Sequence, residues 1–437
     1  MPAPDVVLVA GRDPLDEPGG GHSSYVRSHA RAVLRLGFTP HLFCAGRDDA
    51  EVVTDFGVIH RSAAQVRPVR QLLAGLHAPR IAAAIARFAA GRRGPLLVHG
   101  FGVWGYAGVL ACARLRAAGC EAIPIVSSYT TYESESRSLL CSPAGYGWRA
   151  RLRYGAAHLW IRLAVAGWER RAYCESERVL LNYESVRRLV AARYGAAARC
   201  VKLTYASEAA FLHEGQPAPH PRAAEWTWQG IAELAEQLGP PGAPLIVAVS
   251  RHDPRKGWDV LLAALDRLRR QGVPFRTFLA GGGPHLAADR ALAHRLGLGG
   301  SSVALVGEVP DPYPYLQRAD VFVLPSRSEQ SGSLSLLEAL QAGCAVVASR
   351  VDGIPEDVVD GASALLVEPG DPEALAGALA RLLGDASLRR RLATGARMVF
   401  EERFSACAFA AALGRVYAEL GVVAEAQEPQ RSDGVSR

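Results

Sequence analysis

Nowhere in the chain do about 18 uncharged apolar residues run together, so the sequence offers no transmembrane helix. The start, MPAPDVVLVAGRD, lacks a positively charged leader region, and its short apolar run fits a first core strand rather than a signal peptide. Paired cysteine spacings are missing as well. Eight cysteines stand singly at 44, 112, 120, 141, 174, 200, 344 and 407, without CxxC or metal-like spacing, which implies reduced thiols in a cytosol. No helix-turn-helix, zinc-finger or RNP-like aromatic pattern occurs, so nucleic acid is not an expected partner. Lysine is nearly absent: only Lys202 and Lys256 are present, and all other positive charge is arginine.

What is there is a globular composition, 49% hydrophobic and 21% charged over 437 residues, long enough for two domains. The net charge of +6 hides an asymmetry. Residues 1–205 hold 27 Lys and Arg against 15 Asp and Glu, whereas residues 206–437 hold 22 against 28. A basic first half suggests attraction to an anionic surface.

Order along the chain follows an alternating strand and helix pattern. DVVLVA (5–10) reads as a buried parallel strand, apolar without alternation. A breaker-rich loop with Gly19, Gly20 and Gly21 follows, then a helix from about Ser24 to Leu36 and the strand TPHLFC, which together make a βαβ unit. The glycines permit close approach of backbone to a ligand, although a tight turn explains them equally well. Strands LLVH (96–99), AIPIVSS, VLLN (179–182) and CVKLT (200–204) complete the first half. His99 falls at the carboxyl end of its strand, where ligands bind in open α/β sheets.

Between those strands, residues 145–173 place Trp148, Leu152, Leu159, Trp160 and Leu163 at helical spacing among Arg149, Arg151, Arg153, Arg162, Arg170 and Arg171. Such a helix packs on a sheet with its Arg face in water, the favoured reading, or lies on an anionic bilayer. A Pro-rich segment and a helix over Glu225–Leu238 then separate this half from a second series: PLIVAVS, FRTFLAG, SVALVG, VFVL, AVVA and ALLVE, with amphipathic helices from Pro372 to Leu420. The expected division is an N-terminal domain (1–205), a linker and helix (206–243), a second domain (244–402), a C-terminal helix (403–420) free to pack back on the first domain, and a disordered tail (421–437). Two doubly wound α/β domains facing across a cleft are the expected architecture.

Chemistry concentrates in the second series. In ADVFVLPSRSEQSGSLSLLEALQAGCAVVA (319–348), a helix opens where Ser331, Gly332 and Ser333 leave backbone N–H groups without intrahelical partners, a place for an anion such as a phosphate. Glu338 sits less than two turns into that helix, able to accept hydrogen bonds from a polyol. Upstream, VSRHDPRKGWD sets Arg251 and Lys256 around an Asp-Pro turn after a strand, a planar fork and a mobile point charge able to converge on one diphosphate.

Taken together, Arg251 and Lys256 with Gly257, GGGP (281–284), GEVPD (307–311), ADVFVLPSRSE and LEALQAGCAVVASRVDGIPEDVVDG resemble the retaining family-4, or group 1, glycosyltransferases of GT-B fold. The resemblance covers 244–385 closely and the first half loosely. It implies that Arg251 and Lys256 hold the diphosphate of a nucleotide-sugar donor, that Glu338 binds the ribose, that the backbone at Gly307, Glu308 and Val309 meets the base, and that Gly20 and Gly21 approach the donor phosphates or the acceptor. His99 matches a strand-end His that lies near the transferred sugar in relatives. Three departures stand out. Where the family has a sugar-contacting Glu eight positions before the ribose Glu, this chain has Gln330, with Glu329 beside it; only Glu329 could stabilise positive charge at the anomeric carbon. Tyr129 replaces a frequent His, and Ala206, Ser207, Glu208 and Ala209 stand where relatives read Asn-Gly-Val-Asp.

The function expected from this resemblance is transfer of a sugar from a nucleotide-diphosphate sugar to an acceptor with retained anomeric configuration, in envelope glycan or glycolipid synthesis, with His99, Glu329, Arg251 and Lys256 at the chemistry. No metal and no other cofactor would be required. The acceptor would be a glycan, a lipid-linked molecule or a small molecule, and the enzyme would be cytoplasmic, at the inner face of the plasma membrane if the basic half binds anionic lipid. A nucleotide-sugar epimerase of GT-B fold and a non-catalytic nucleotide-sugar-binding protein remain as alternatives.

Overall fold

A computed structural model describes residues 5–15, 20–64, 71–92, 94–140, 148–214, 237–300 and 302–423. Gly19, all but the last residues of the expected helix Glu225–Leu238 and the chain beyond 423 lie outside the described residues.

Two sheets organise the molecule. The first contains β1 (Asp5–Arg12), β2 (Thr39–Gly46), β3 (Ala50–Thr54), β4 (Gly57–Ala63), β5 (Leu96–Phe101), β6 (Ala122–Ser128), β7 (Arg178–Leu181) and β8 (Cys200–Lys202), in the spatial order β3-β4-β2-β1-β5-β6-β7-β8. All pairs are parallel except β3 with β4. Helices α1 (Gly20–Arg35), α2 (Ala74–Phe88), α3 (Gly105–Ala117), α4 (Tyr132–Leu140), α5 (Trp148–Trp160), α6 (Ala166–Glu175) and α7 (Glu184–Tyr194) belong to this half. β1 is buried from Val6 to Gly11, as an apolar strand covered on both faces must be. The edge hairpin β3–β4 was not anticipated; its strands mix polar and apolar residues and read as loop.

The second sheet contains β9 (Leu245–Val249), β10 (Arg276–Ala280), β11 (Val303–Gly307), β12 (Val321–Leu324), β13 (Ala345–Ser349) and β14 (Leu365–Val367), all parallel, in the order β11-β10-β9-β12-β13-β14. Its helices are α8 (Ala209–Leu212), α9 (Trp258–Arg270), α10 (Leu286–Arg295), α11 (Tyr313–Arg318), α12 (Leu334–Ala342), α13 (Ile354–Asp357), α14 (Pro372–Gly384), α15 (Ala386–Arg403) and α16 (Ala406–Glu419), the last of which crosses back. Phe409, Ala410, Leu413 and Tyr417 of α16 join the core of the first domain with Val6, Leu8 and Ala30. No described helix is long and apolar enough to cross a membrane.

Strand order reverses between β1 and β5 in one sheet and between β9 and β12 in the other. Crevices at the carboxyl ends of strands form at such switch points. The start of α1, which follows β1, carries Gly20 and Gly21, and the loops after β9 and β12 carry Arg251 with Lys256 and Ser331–Ser333, so the topology gathers the sequence motifs into one cleft.

Candidate active site

On the second domain, β9 runs into a short turn, Pro254–Lys256, capped by the Asp253 side chain, which accepts from the Arg255 N–H at 3.0 Å. Gly257 then takes φ +69°, and a Cβ there would stand 2.0 Å from the Pro325 carbonyl oxygen, so only glycine lets the chain turn back against the loop after β12. The turn aims Lys256 at Glu329, with Nζ 2.5 Å from Oε1. Glu329 is buried, and its Oε1 also accepts from Ser326 Oγ at 2.6 Å while its N–H donates to Asp352 at 2.6 Å. Arg251 is exposed, and its guanidinium makes no ion pair or hydrogen bond among the described residues.

Beside Arg251 the backbone forms a continuous wall. The Ser250 N–H donates to Ala280, the His252 N–H to Gly282 at 2.8 Å, and the Gly281 N–H to the Gly307 carbonyl at 2.6 Å. Gly281 and Gly283 adopt φ +143° and +147°, and a Cβ at Gly282 would lie 2.8 Å from the Glu308 carboxylate. The GGGP and GEV segments are thus one surface; Glu308 is exposed, Gly307 buried and Val309 partly buried.

The turn 330–333 is held from the first domain over its whole length. Gln330 Oε1 accepts from Thr130 Oγ1 at 3.3 Å and Ser134 Oγ at 3.2 Å. The Ser331 carbonyl accepts from Tyr25 OH at 2.8 Å and Asn182 Nδ2 at 3.2 Å. Gly332, at φ +85°, leaves room for the Tyr205 ring, which a Cβ would meet at 2.7 Å. Tyr205 OH accepts the Ser333 N–H at 3.1 Å, and Ser333 Oγ caps α12 by accepting from the Leu336 N–H at 3.3 Å. Two of the N–H groups near this helix start are therefore already satisfied, which leaves those of Leu334 and Ser335 for an anion. Glu338 has no hydrogen-bond partner among the described residues; burial, and then the charges of Asp311 and Glu208, push its carboxyl up to about 8.

Across the cleft, Gly20 and Gly21 are the first residues of α1 rather than loop residues. A Cβ at Gly21 would be 3.8 Å from Leu334 Cδ1, so the starts of α1 and α12 face each other. Tyr129 stacks on Tyr25 with centroids 4.1 Å apart and reaches His29 Nε2 at 3.4 Å. It forms wall, not an open imidazole.

Two of the expected catalytic positions, His99 and Glu329, are buried and hydrogen-bonded. His99 is fully buried, its Nδ1 3.0 Å from Tyr417 OH and its Nε2 2.8 Å from Ser127 Oγ, so both nitrogens have partners. Burial, and to a lesser extent His29, hold its pKa well below the ordinary value, and it stays a neutral structural ring. Glu329 is committed to Lys256 and Ser326, and Gln330 rather than Glu329 spans the cleft. Sequence reading missed Tyr25, Asn182, Thr130, Ser134 and Tyr205, and it missed Asp357. That carboxylate accepts from Tyr205 OH at 2.6 Å and also from Tyr183 OH, and burial raises it to about 7.

The sequence model of the family described as Glycosyl transferases group 1 matches residues 243–385. A GDP-mannose-dependent alpha-(1-6)-phosphatidylinositol monomannoside mannosyltransferase of Mycolicibacterium smegmatis is 36% identical over 171 residues, 38% of this chain and 44% of the relative. A D-inositol 3-phosphate glycosyltransferase of Xylanimonas cellulosilytica is 36% identical over 197 residues, 43% of this chain and 45% of the relative. The matched stretch thus spans less than half of each relative's length. Among solved structures, sucrose-phosphate synthase from Thermosynechococcus elongatus superposes with a TM-score of 0.69 at 21% identity, over 96% of this chain and 99% of that one. Anabaena HepE in complex with UDP gives 0.64 at 16%, over 95% and 100%. Residues 243–385 thus resemble the group 1 glycosyl transferases in sequence, in a chain whose two Rossmann-like domains make the GT-B fold.

Proposed function

We propose that this chain is a glycosyltransferase that moves a sugar from a nucleotide-diphosphate sugar to an acceptor with retention of anomeric configuration, in envelope glycan or glycolipid synthesis. The observation that carries the reading is Lys256, aimed at Glu329 in the turn that leads to the open N–H groups at the start of α12, with Arg251, unpaired among the described residues, in the same loop after β9. The donor diphosphate lies there, the base against the Gly307–Val309 wall, and the ribose hydroxyls on Glu338. As the bond between anomeric carbon and phosphate oxygen breaks, negative charge grows on the diphosphate. Arg251, Lys256 and the helix N–H groups stabilise it, and this role requires no metal. The acceptor oxygen forms the new bond from the side of Gly20 and Gly21, and its proton leaves with the diphosphate. Lys256 exchanges Glu329 for phosphate oxygens when donor binds.

The names of relatives that act on phosphatidylinositol mannosides and in lipopolysaccharide core synthesis support a lipid-linked acceptor and a peripheral place at the inner face of the plasma membrane. A thermal-shift screen of nucleotide sugars tests the donor, since a ligand of the native state raises its apparent stability. If no nucleotide sugar shifts the transition and none is turned over with any glycan or lipid acceptor, the reading is wrong.

A further inference from the structure

Helix α5 is thinly packed among the described residues. Among its described side chains, residues 151–160, not one is buried. Short helices owe their stability to tertiary packing of an apolar face. Here the apolar residues point outward instead: Leu152 is 65% exposed, Leu159 57% and, in the π-helical turn Ile161–Val165 that follows, Leu163 75%. Spacings of seven and four place these three along one side. Burial begins only with Ile161, Val165, Ala166, Glu169, Ala172 and Tyr173.

The ridge extends onto α2. Trp160 donates its indole N–H to the Leu72 carbonyl at 2.7 Å and stands edge-on to Trp168 at 6.3 Å, so its ring is fixed while still partly exposed. Gly75 touches the Trp168 ring, and the next residue, Leu76, is exposed. The exposed charge within residues 151–170 has one sign. Arg151, Arg153, Arg162 and Arg170 are exposed along 151–170, and the single acid of that stretch, Glu169, is fully buried. Arg151 and Arg170 make no ion pair among the described residues, and Arg162 reaches Glu133 only at 3.5 Å.

We infer that this face, Leu152, Leu159, Trp160 and Leu163 with their arginine margin, seats the enzyme on an anionic lipid bilayer. Leucines and an interfacial tryptophan enter the boundary between headgroups and acyl chains while arginines meet lipid phosphates. A second copy of the chain does not fit the same face, because it would set four arginines against four. The inference deepens, and rests on, the peripheral placement proposed above. It also connects that placement to the cleft: His158 of α5 lies 2.7 Å from Ser136 of α4, and Ser134 of α4 holds Gln330. A lipid-linked acceptor would enter beside α4.

Flotation of the full chain with phosphatidylcholine vesicles, with and without phosphatidylglycerol, at low and high salt, tests the surface. The wild type is expected to float with phosphatidylglycerol vesicles at low salt and to be released by high salt. L152S/L159S/L163S should lose binding at least about tenfold, and R151Q/R153Q/R170Q should lose the preference for anionic lipid. Thermal shift by UDP or GDP is read on the same samples. A wild type that binds nucleotide but never floats overturns the docking face and leaves the transferase reading standing. Flotation without nucleotide binding does the reverse. Equal flotation of the leucine variant, or a wild-type dimer that this variant dissolves, overturns the assigned face.

Discussion

Lys256 Nζ lies 2.5 Å from Glu329 Oε1, a pair in which the cation is partly exposed and the carboxylate is 1% exposed. Glu329 thereby aims the lysine at the cleft and is positioned to release it to a stronger anion. Lys256→Ala should cut turnover by roughly a hundredfold to a thousandfold, the usual effect of removing one preorganised donor. It also strands a buried carboxylate, which destabilises by about 3 kcal/mol. Adding Glu329→Gln removes the stranded charge, so the double variant should regain stability without regaining turnover. Denaturation curves and initial rates of the two variants check this.

The clasp of Gln330 by Thr130 and Ser134 is neutral, made of two hydrogen bonds across the cleft. Gln330→Ala should lower kcat by about five- to thirtyfold, equivalent to one or two hydrogen bonds. If the bonds act in domain closure, adding T130A/S134A to Gln330→Ala should cost almost nothing more, a non-additivity that a mutant cycle reads directly.

Asp357, Glu338 and Glu169 all have carboxyl groups raised by burial, to about 7, about 8 and about 7. Between the ordinary carboxylate value and these raised ones, the folded chain holds protons that the unfolded chain has lost. Stability from these groups is therefore fully present at low pH and falls as pH rises through the folded values. Thermal unfolding should show a lower Tm at about pH 8 than at about pH 5.5, and Asp357→Asn should flatten part of that slope. A Tm that climbs steadily over this interval would contradict the buried, protonated state of these carboxyls.

His99→Ala removes a fully buried ring and leaves Ser127 Oγ and Tyr417 OH without their partner. A loss of roughly 2–4 kcal/mol in stability is expected. With both ring nitrogens held by buried hydroxyls, kcat of the folded fraction should change less than about threefold, within the scatter of indirect effects. Loss of turnover at unchanged stability would restore His99 to the chemistry.

Strands buried on both faces announce themselves by unbroken apolar runs, and for that reason every central strand of both sheets was legible in the sequence. The β3–β4 hairpin was not, because an edge strand solvated on one side carries no such run. Within the site, Arg251, Lys256 and Glu338 could be read because strand-end loops and a helix start give them local context. The hydroxyl and amide groups that grip the turn 330–333 had none: their partners lie between 128 residues away, for Tyr205, and 306 away, for Tyr25. The burial of His99 was out of reach for the same reason: Tyr417 of α16, which bonds its ring, lies 318 residues away.

That return sets how the two lobes can move. The chain leaves the first domain near Tyr205 and comes back at Phe404, and these two rings touch, with centroids 5.8 Å apart. Two crossings side by side make a fulcrum, not an open-ended tether. Opening would part Gln330 from Thr130 and Ser134, while the Tyr205 hydroxyl beside the pivot would hardly shift from Ser333. The turn 330–333 would keep its shape through the stroke, and the cleft would part at the Gln330 end.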